Sequence, residues 1–400
     1  MTDSALPVLQ LKRNEDRRIR QGHCWIFSNE VDTANTPLKS FEPGEVVEIR
    51  DARNKVLGTG YVNPHSLISA RLVSRDPHYP FNGSLIVHRL KVALALRERI
   101  FPGPYYRLVF GESDGLPGLV VDRFDDVLVV QVTTAGMELR RQEVIDALVK
   151  VLAPRVIVLR NDNAIRDLEG LDRYVEVALG EMPEAVELIE HGVRFEAPLA
   201  GGQKTGWFFD QHDNRRDLDR WVRGARVLDV FSYVGGWGVQ ALKQGAESAM
   251  FVDESPLAIE YVGRNAEHNG VEAQTSVLRE EAFSALKSLK AAGESFDVVV
   301  IDPPAFIKRK KDYRKGLDAY QRINGLAMRL LNRDGILISC SCSHHLGRND
   351  LTQVLNRAVR HIGGRDLQVL WQGSQAADHP IHPAIPETAY LKAAVCRITR

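Results

Sequence analysis

From about His191 onward, runs of near-continuous apolar residues alternate with segments of helical period. No other feature of the sequence constrains the fold as strongly. Strand-type runs at 226–230, 248–252, 298–301 and 336–341 are followed by helical patterns at 236–244, 257–269, 320–331 and 350–361. A strand that is apolar at successive positions needs cover on both faces, and crossover helices provide it. The expectation for this stretch is a parallel sheet with helices on both sides.

The chain has 400 residues, more than one compact core usually holds, so further domains are expected upstream. Up to about Pro77 the sequence reads as short β-rich runs, at 46–50, 57–62 and 68–73, which suggests a small barrel. Asp76-Pro77 and Tyr79-Pro80 break that pattern, and a helical run over 85–100 ends at Phe101-Pro102-Gly103-Pro104. Paired strands at 119–123 and 127–132, a helix over 138–152, a strand at 156–160 and another near Val175 make a small α+β module, strand-strand-helix-strand-strand. The expected domains are 1–78, 79–190 and 191–400, together a multidomain α/β protein.

Composition excludes several classes. The apolar share is 44% and the charged share 26%, which rules out a disordered or collagen-like chain. Lys+Arg and Asp+Glu each total 52, so any nucleic-acid contact must come from local patches. Four cysteines, Cys24, Cys340, Cys342 and Cys396, are too few for a disulfide scaffold and fit a cytoplasmic protein. A single C-x-C is poor zinc spacing, and Asp378, His379 and His382 in the tail read as hydrogen-bonded loop residues; no metal is expected. The N-terminus lacks a secretory signal, and no apolar run is long enough to span a membrane.

The chemistry concentrates at strand ends. Residues 226–242 form a strand ending near Asp229, a turn containing Phe231, Gly235 and Gly236, and a helix opening near Gly238. Glycines let backbone approach a ligand, but the spacing is not G-x-G-x-x-G, so pyrophosphate binding is not implied and a dinucleotide dehydrogenase is not expected. The next strand ends in Asp253, placed to accept hydrogen bonds from ribose hydroxyls. Glu281 and Asp302-Pro303-Pro304 follow at later strand ends, where ligands sit in open α/β sheets. Singly, each acid could equally be a turn or cap residue.

Together these motifs resemble a class I S-adenosylmethionine-dependent methyltransferase with a Rossmann-like fold. The resemblance implies a donor site formed by Asp229, Phe231, Gly235, Gly236, Gly238, Asp253, Glu281 and Asp302. Residues 206–215 resemble a segment that some RNA base methyltransferases place over the cofactor, which adds Gln211; His212 stands where that family usually has arginine. Asp302-Pro303-Pro304 resembles the motif used on planar nitrogen or base substrates.

Cys340 and Cys342, two apart on a strand, are expected to share a face. Their surroundings resemble the thiol motif of RNA cytosine-5 methyltransferases, which implies Cys342 as nucleophile, Cys340 as second choice and Asp302 as a base-holding group. A thiolate adding to C6 makes C5 enamine-like, so that C5 attacks the methyl sulfonium. Ala305 follows the two prolines where many relatives carry a cysteine that helps product release. Either Cys340 or another base fills that role.

The front segment resembles a PUA domain, through residues 22–27, 44–47 and 58–64 with Ser66, Ile68 and Arg71. Residues 112–122 resemble a linking module. The whole chain resembles the bacterial large-subunit ribosomal RNA cytosine-5 methyltransferase family, which implies an S-adenosylmethionine cofactor, a ribosomal RNA partner and a cytoplasmic location. A homodimer is compatible with this reading. Lys308, Arg309, Lys310 and Lys311 form one cationic run and Arg18 lies in another; Phe306 could stack a flipped base or pack in the core. Two other readings remain: N-methylation of guanine or adenine, and a non-catalytic RNA-binding assembly factor.

Overall fold

The computed structural model describes residues 6–76, 78–202 and 205–399. They form two compact units, Met1–Pro183 with Asp378–Thr388, and Glu184–Ala377 with Ala389–Arg400. The sequence placed the last boundary at 190 and kept the whole tail in the third segment. The structure moves the boundary seven residues earlier, because a hairpin over 185–198 joins the second unit, and it gives 378–388 to the first.

In the first unit, β1 (Val8–Gln10), β2 (Trp25–Phe27), β3 (Val46–Arg50), β4 (Val56–Val62) and β5 (Ile68–Ser74) form a sheet in the order β1-β3-β4-β5-β2. Its core is aliphatic, with Leu9, Ile26, Val47, Ile49 and Leu72 buried. A second sheet contains β6 (Tyr105–Phe110), β7 (Leu119–Phe124), β8 (Val127–Val132), β9 (Val156–Asn161) and β10 (Tyr174–Leu179), in the order β10-β9-β8-β7-β6. The helix Gly83–Ile100 starts where the Asn82 side chain accepts from Leu85 N–H, and the helix Arg141–Leu152 packs beside it. Arg97 on the first helix is fully buried. Its guanidinium makes two hydrogen bonds to Asp114, 2.6 and 2.8 Å, and donates to the Asp378 carbonyl at 2.8 Å. The Asp378 carboxylate accepts from Arg107 N–H at 2.8 Å and pairs with the His379 ring at 2.7 Å.

Two cations expected at an RNA surface lie in this unit. Arg18 is partly exposed, paired with Glu30 at 2.6 Å and stacked on Phe27. Arg71 corrects the expectation. It is only 8% exposed and forms an ion pair of 2.9 Å with buried Glu169, which also accepts from Asn63 and Ser66. A cation so enclosed neutralises an interior carboxylate and offers no surface to phosphate.

In the second unit, β11 (Ala185–Glu190) and β12 (Val193–Pro198) form the hairpin. A seven-stranded sheet follows: β13 (Arg226–Val230), β14 (Ser248–Asp253), β15 (Thr275–Arg279), β16 (Phe296–Ile301), β17 (Leu331–Ser341), β18 (Asp366–Ser374) and β19 (Lys392–Thr399). The order is β15-β14-β13-β16-β17-β19-β18. β19 is antiparallel to β17 and β18, and the other pairs are parallel. Pro256 opens the helix Pro256–His268 behind a Ser255 cap, and Tyr313–Met328 and Arg348–Ile362 cover the sheet with buried aliphatic faces. Among the described residues no helix is long and apolar enough to cross a membrane.

Candidate active site

Strand order reverses between β13 and β16: the chain runs outward through β14 and β15, then returns to the other side of β13. Ligands bind beyond the carboxyl ends of the strands at such a point. A cavity of about 630 Å³ opens there. Its walls include Phe231, Ser232 and Tyr233 after β13, Asp253 at the end of β14, Glu281 after β15, then Asp302, Pro303 and Pro304 after β16, and Cys342.

The turn after β13 is sharply bent. Phe231 and Tyr233 both have positive φ, +65° and +49°, which costs a side-chain-bearing residue about 1–2 kcal/mol. Asp253 holds the turn by accepting from Tyr233 N–H at 2.9 Å, and its other oxygen accepts from Ser255 N–H at 2.9 Å. Each carboxylate oxygen keeps a further lone pair for a ligand in the cavity.

Three expected donor contacts do not reach the cavity wall. Asp229 is fully buried and accepts from Gly238 N–H at 2.9 Å; burial pushes its carboxyl up to about 7. Gly235 takes φ +87°, and its N–H bonds to the Ser232 carbonyl at 2.8 Å. Gly238 is glycine for packing: a Cβ there would lie 2.2 Å from the Phe251 ring. These three residues shape the turn from behind. Gly236 does line the cavity, and a Cβ there would press on Trp207 at 3.2 Å. Glu281 lines it too, while its carboxylate caps the helix Ala282–Ala291 through Ser284 N–H at 3.0 Å.

Asp302 is held from two sides. Gln211 Nε2 donates to both its oxygens at 3.0 Å, and Trp237 Nε1 donates to one at 3.0 Å. Gln211 is fixed in turn by Asn214, whose amide donates to its oxygen at 2.6 Å. The same segment is anchored by Arg215, which makes two hydrogen bonds to Glu190, 2.6 and 2.9 Å, and donates to the Phe208 carbonyl. Burial opposes charge on Glu190, yet the Arg215 guanidinium holds its carboxyl below the ordinary range. His212 is not on the cavity wall; its ring packs on His191 and pairs with Asp213.

The two central cysteines part company. β17 ends at Ser341, so the alternation that would give them one face stops between them. Cys340 stays in the core, 0% exposed, and burial pushes its thiol well above the ordinary range. It does not line the cavity and is a poor nucleophile or base. Cys342 lines the cavity, its thiol 3.8 Å from the Pro303 carbonyl oxygen. Its neighbours are pinned: the Ser341 and Ser343 hydroxyls bond Tyr320 Oη at 2.8 and 2.9 Å, and Ile307 N–H donates to Ser343 Oγ at 3.1 Å. Cys396 is core, and burial pushes Cys24 up to about 12.

Sequence reasoning missed Lys392. Its Nζ donates to the carbonyls of Ser343 at 2.6 Å and Tyr390 at 2.7 Å. Burial pulls the ammonium down to about 8, against the opposing pull of a thiolate at Cys342. Trp207, Phe208, Tyr390 and Leu391 on the wall were also missed as individuals, although their segments stood out in composition. Phe306 lines the cavity and packs on Tyr320 with ring centroids 4.8 Å apart. Lys308 and Arg309 on the following loop and Lys310 and Lys311 in the short 3-10 helix Lys310–Asp312 are exposed, and Arg309 pairs with Asp312.

Residues 155–395 match the S-adenosylmethionine-dependent methyltransferase family, and 9–75 match a PUA-like domain. The chain is 37% identical over 406 residues to the ribosomal RNA large subunit methyltransferase I of Klebsiella pneumoniae, covering 100% of both. The chain belongs to this methyltransferase family. The corresponding Escherichia coli protein is 36% identical over 395 residues, 98% of this chain and 99% of that one. A Streptococcus mutans S-adenosylmethionine-dependent methyltransferase shares the fold, with a TM-score of 0.81 at 19% identity over 98% of this chain and 100% of that one. SMU.776, a methyltransferase solved with SAH, has a TM-score of 0.83 at 19% identity over the same shares.

The methyl donor of this family is S-adenosylmethionine, and the cavity fits it. Ser232 Oγ on its wall is buried with no protein partner among the described residues, which suits a polar ligand. Asp253 has acceptor capacity for ribose hydroxyls, and Gly236 leaves room at the helix N-terminus. When bound, the donor supplies an electrophilic methyl group on a sulfonium.

Proposed function

We propose that this chain methylates C5 of a cytosine in large-subunit ribosomal RNA, in the cytoplasm, through a covalent adduct at Cys342. The relatives' names supply the ribosomal RNA. One observation carries the chemistry: Cys342 and Asp302 stand on the wall of the same cavity as Asp253. The Cys342 thiolate forms a bond to C6, and the displaced π-electrons make C5 nucleophilic toward the methyl group. Asp302, kept in place by Gln211 and Trp237, accepts a hydrogen bond from the cytosine N4 amino group and orients the ring. After transfer a base takes the C5 proton, the C5–H electrons re-form the double bond, and Cys342 leaves as thiolate. Cys340, sealed in the core, does not serve as that base.

For RNA contacts, exposed Lys308, Arg309, Lys310 and Lys311 follow the Pro-Pro loop and suit phosphates. Phe306 offers a ring face beside the cavity. Arg18 adds a half-exposed cation in the first unit. The test is nucleoside mass spectrometry after incubation with isotope-labelled donor and ribosomal RNA from cells lacking the enzyme. Label in 5-methylcytidine is the expected result. Label in a methylated purine, or in nothing, overturns the reading in favour of N-methylation or an assembly role.

A further inference from the structure

We propose that the Lys392 ammonium holds Cys342 as its thiolate, which makes Lys392 a positioning residue for the nucleophile. This rests on the reading of Cys342 as the attacking thiol. In β19, Lys392 stands opposite Ser341, the residue before Cys342. Its side chain reaches past the end of β17, where Nζ donates to the carbonyl of Ser343, the residue after Cys342, and to that of Tyr390. The ammonium is therefore tied to the peptide immediately following the thiol. An ammonium has three N–H donors, and among the described residues these two carbonyls are its hydrogen-bond acceptors.

Lys392 is 6% exposed, and no carboxylate forms an ion pair with it among the described residues. A buried cation without a counter-ion is costly, and an anion nearby relieves that cost. Arg348 and Asp350 of the helix Arg348–Ile362 act on it in opposite senses, Arg348 the more strongly, so that side supplies no net counter-charge. The remaining group that acts on it electrostatically is Cys342. The Asp302 carboxylate shares the cavity wall with Cys342 and opposes its ionisation. Two neutral acids also feel the Cys342 charge. They are the Tyr320 phenol, on the helix Tyr313–Met328, and the Cys340 thiol behind it; a thiolate at Cys342 raises both. Lys392 is thus a cation, fixed by its bond to the Ser343 carbonyl beside the thiol, that favours ionisation of Cys342. On ionisation below about pH 8, where Lys392 is still an ammonium, the thiol proton passes to water through the open side of the cavity.

The test is alkylation of Cys342 in the intact chain by iodoacetamide, followed across pH by peptide mass spectrometry. Cys24, Cys340 and Cys396 are expected to stay unmodified, since burial suppresses their ionisation. In the native chain the midpoint for Cys342 should lie below that of an ordinary thiol, ~8.5. Lys392→Met should raise it by about one unit, slowing alkylation near neutral pH about tenfold, and Lys392→Arg should restore it. Donor affinity by calorimetry reports whether each variant is folded. If Lys392→Met does not fold, the native midpoint alone decides: at or above 8.5 the proposal fails. A folded Lys392→Met with an unchanged midpoint also overturns it.

The two readings fail separately. A lowered midpoint in a chain that makes no 5-methylcytidine keeps the pair and removes the proposed reaction. 5-Methylcytidine formation with a midpoint indifferent to Lys392 keeps the reaction and removes the pair.

Discussion

Gly238→Ala separates a packing role from a ligand role at the turn after β13. An alanine Cβ would lie 2.2 Å from Phe251 Cε1 and 2.6 Å from its Cζ, whereas ordinary contacts begin at 3.4 Å. The ring would have to withdraw by more than 1 Å. It is fully buried, so there is no solvent side for it to withdraw into. Overpacking of this kind costs ~1–3 kcal/mol. Replacing glycine by alanine within a helix returns up to ~1 kcal/mol. The net expectation is a loss of about 1–2 kcal/mol, or ~2–8 °C in the melting temperature of a unit this size. Phe251→Leu removes the two atoms that clash. In a double-mutant cycle followed by calorimetry of the intact chain, the second substitution should recover at least ~1 kcal/mol of the first. A neutral Gly238→Ala, or a cycle with zero coupling, would refute the packing argument and return Gly238 to the donor's side of the turn.

Cys342→Ala should abolish methyl transfer while donor binding persists, and Cys340→Ala should remain active; an active Cys342→Ala in the labelling assay would sink the assignment. Asp253→Ala should weaken donor binding about ten- to hundredfold, from the loss of ~1.5–3 kcal/mol of charge-assisted hydrogen bonding, and unchanged affinity by calorimetry counts against the ribose contact. Asp229 is pushed up from 3.8 to about 7 in the folded chain, so its contribution is complete below 3.8 and lost as pH rises through 7. Urea titrations should therefore show the native chain losing up to about 4 kcal/mol relative to Asp229→Asn across that window, and a flat difference would contradict the burial argument. Arg71→Met should destabilise by ~3–5 kcal/mol by leaving Glu169 uncompensated. A fully stable variant with impaired RNA binding would instead restore Arg71 to a binding surface.

The interior of the sheet was legible because β13, β14, β16 and β17 carry buried apolar residues in close succession, a pattern that only burial on both faces produces. β15 escaped notice because it is the edge: Ser276 and Val277 are exposed, and its composition resembles a loop. β18 is likewise an edge strand, exposed along most of its length. β1 and β2 are three residues each, too short to show a period. At the site, strand-end acids marked the right place, since Asp253, Glu281 and Asp302 do line the cavity. Their motif neighbours Asp229 and Gly238 face each other and the core instead, and sequence cannot distinguish a glycine spared for a ligand from one spared for a phenylalanine ring. Lys392 was invisible for another reason: it meets the Cys342 loop only because the last strand inserts antiparallel between β17 and β18.

The excursion of 378–388 into the first unit has a consequence for a chain made one residue at a time. Arg97 and the Asp378 carbonyl it binds are 281 residues apart. At elongation rates of roughly 5–20 residues per second, the arginine precedes its partner by roughly 15–60 s. Through that interval the nascent first unit holds Arg97 on Asp114 and the Arg107 carbonyl and leaves Arg107 N–H without the Asp378 carboxylate. The front of this enzyme is finished only after almost all of the back has been made. A gene fragment cut at the boundary near 183 would leave that interval open permanently.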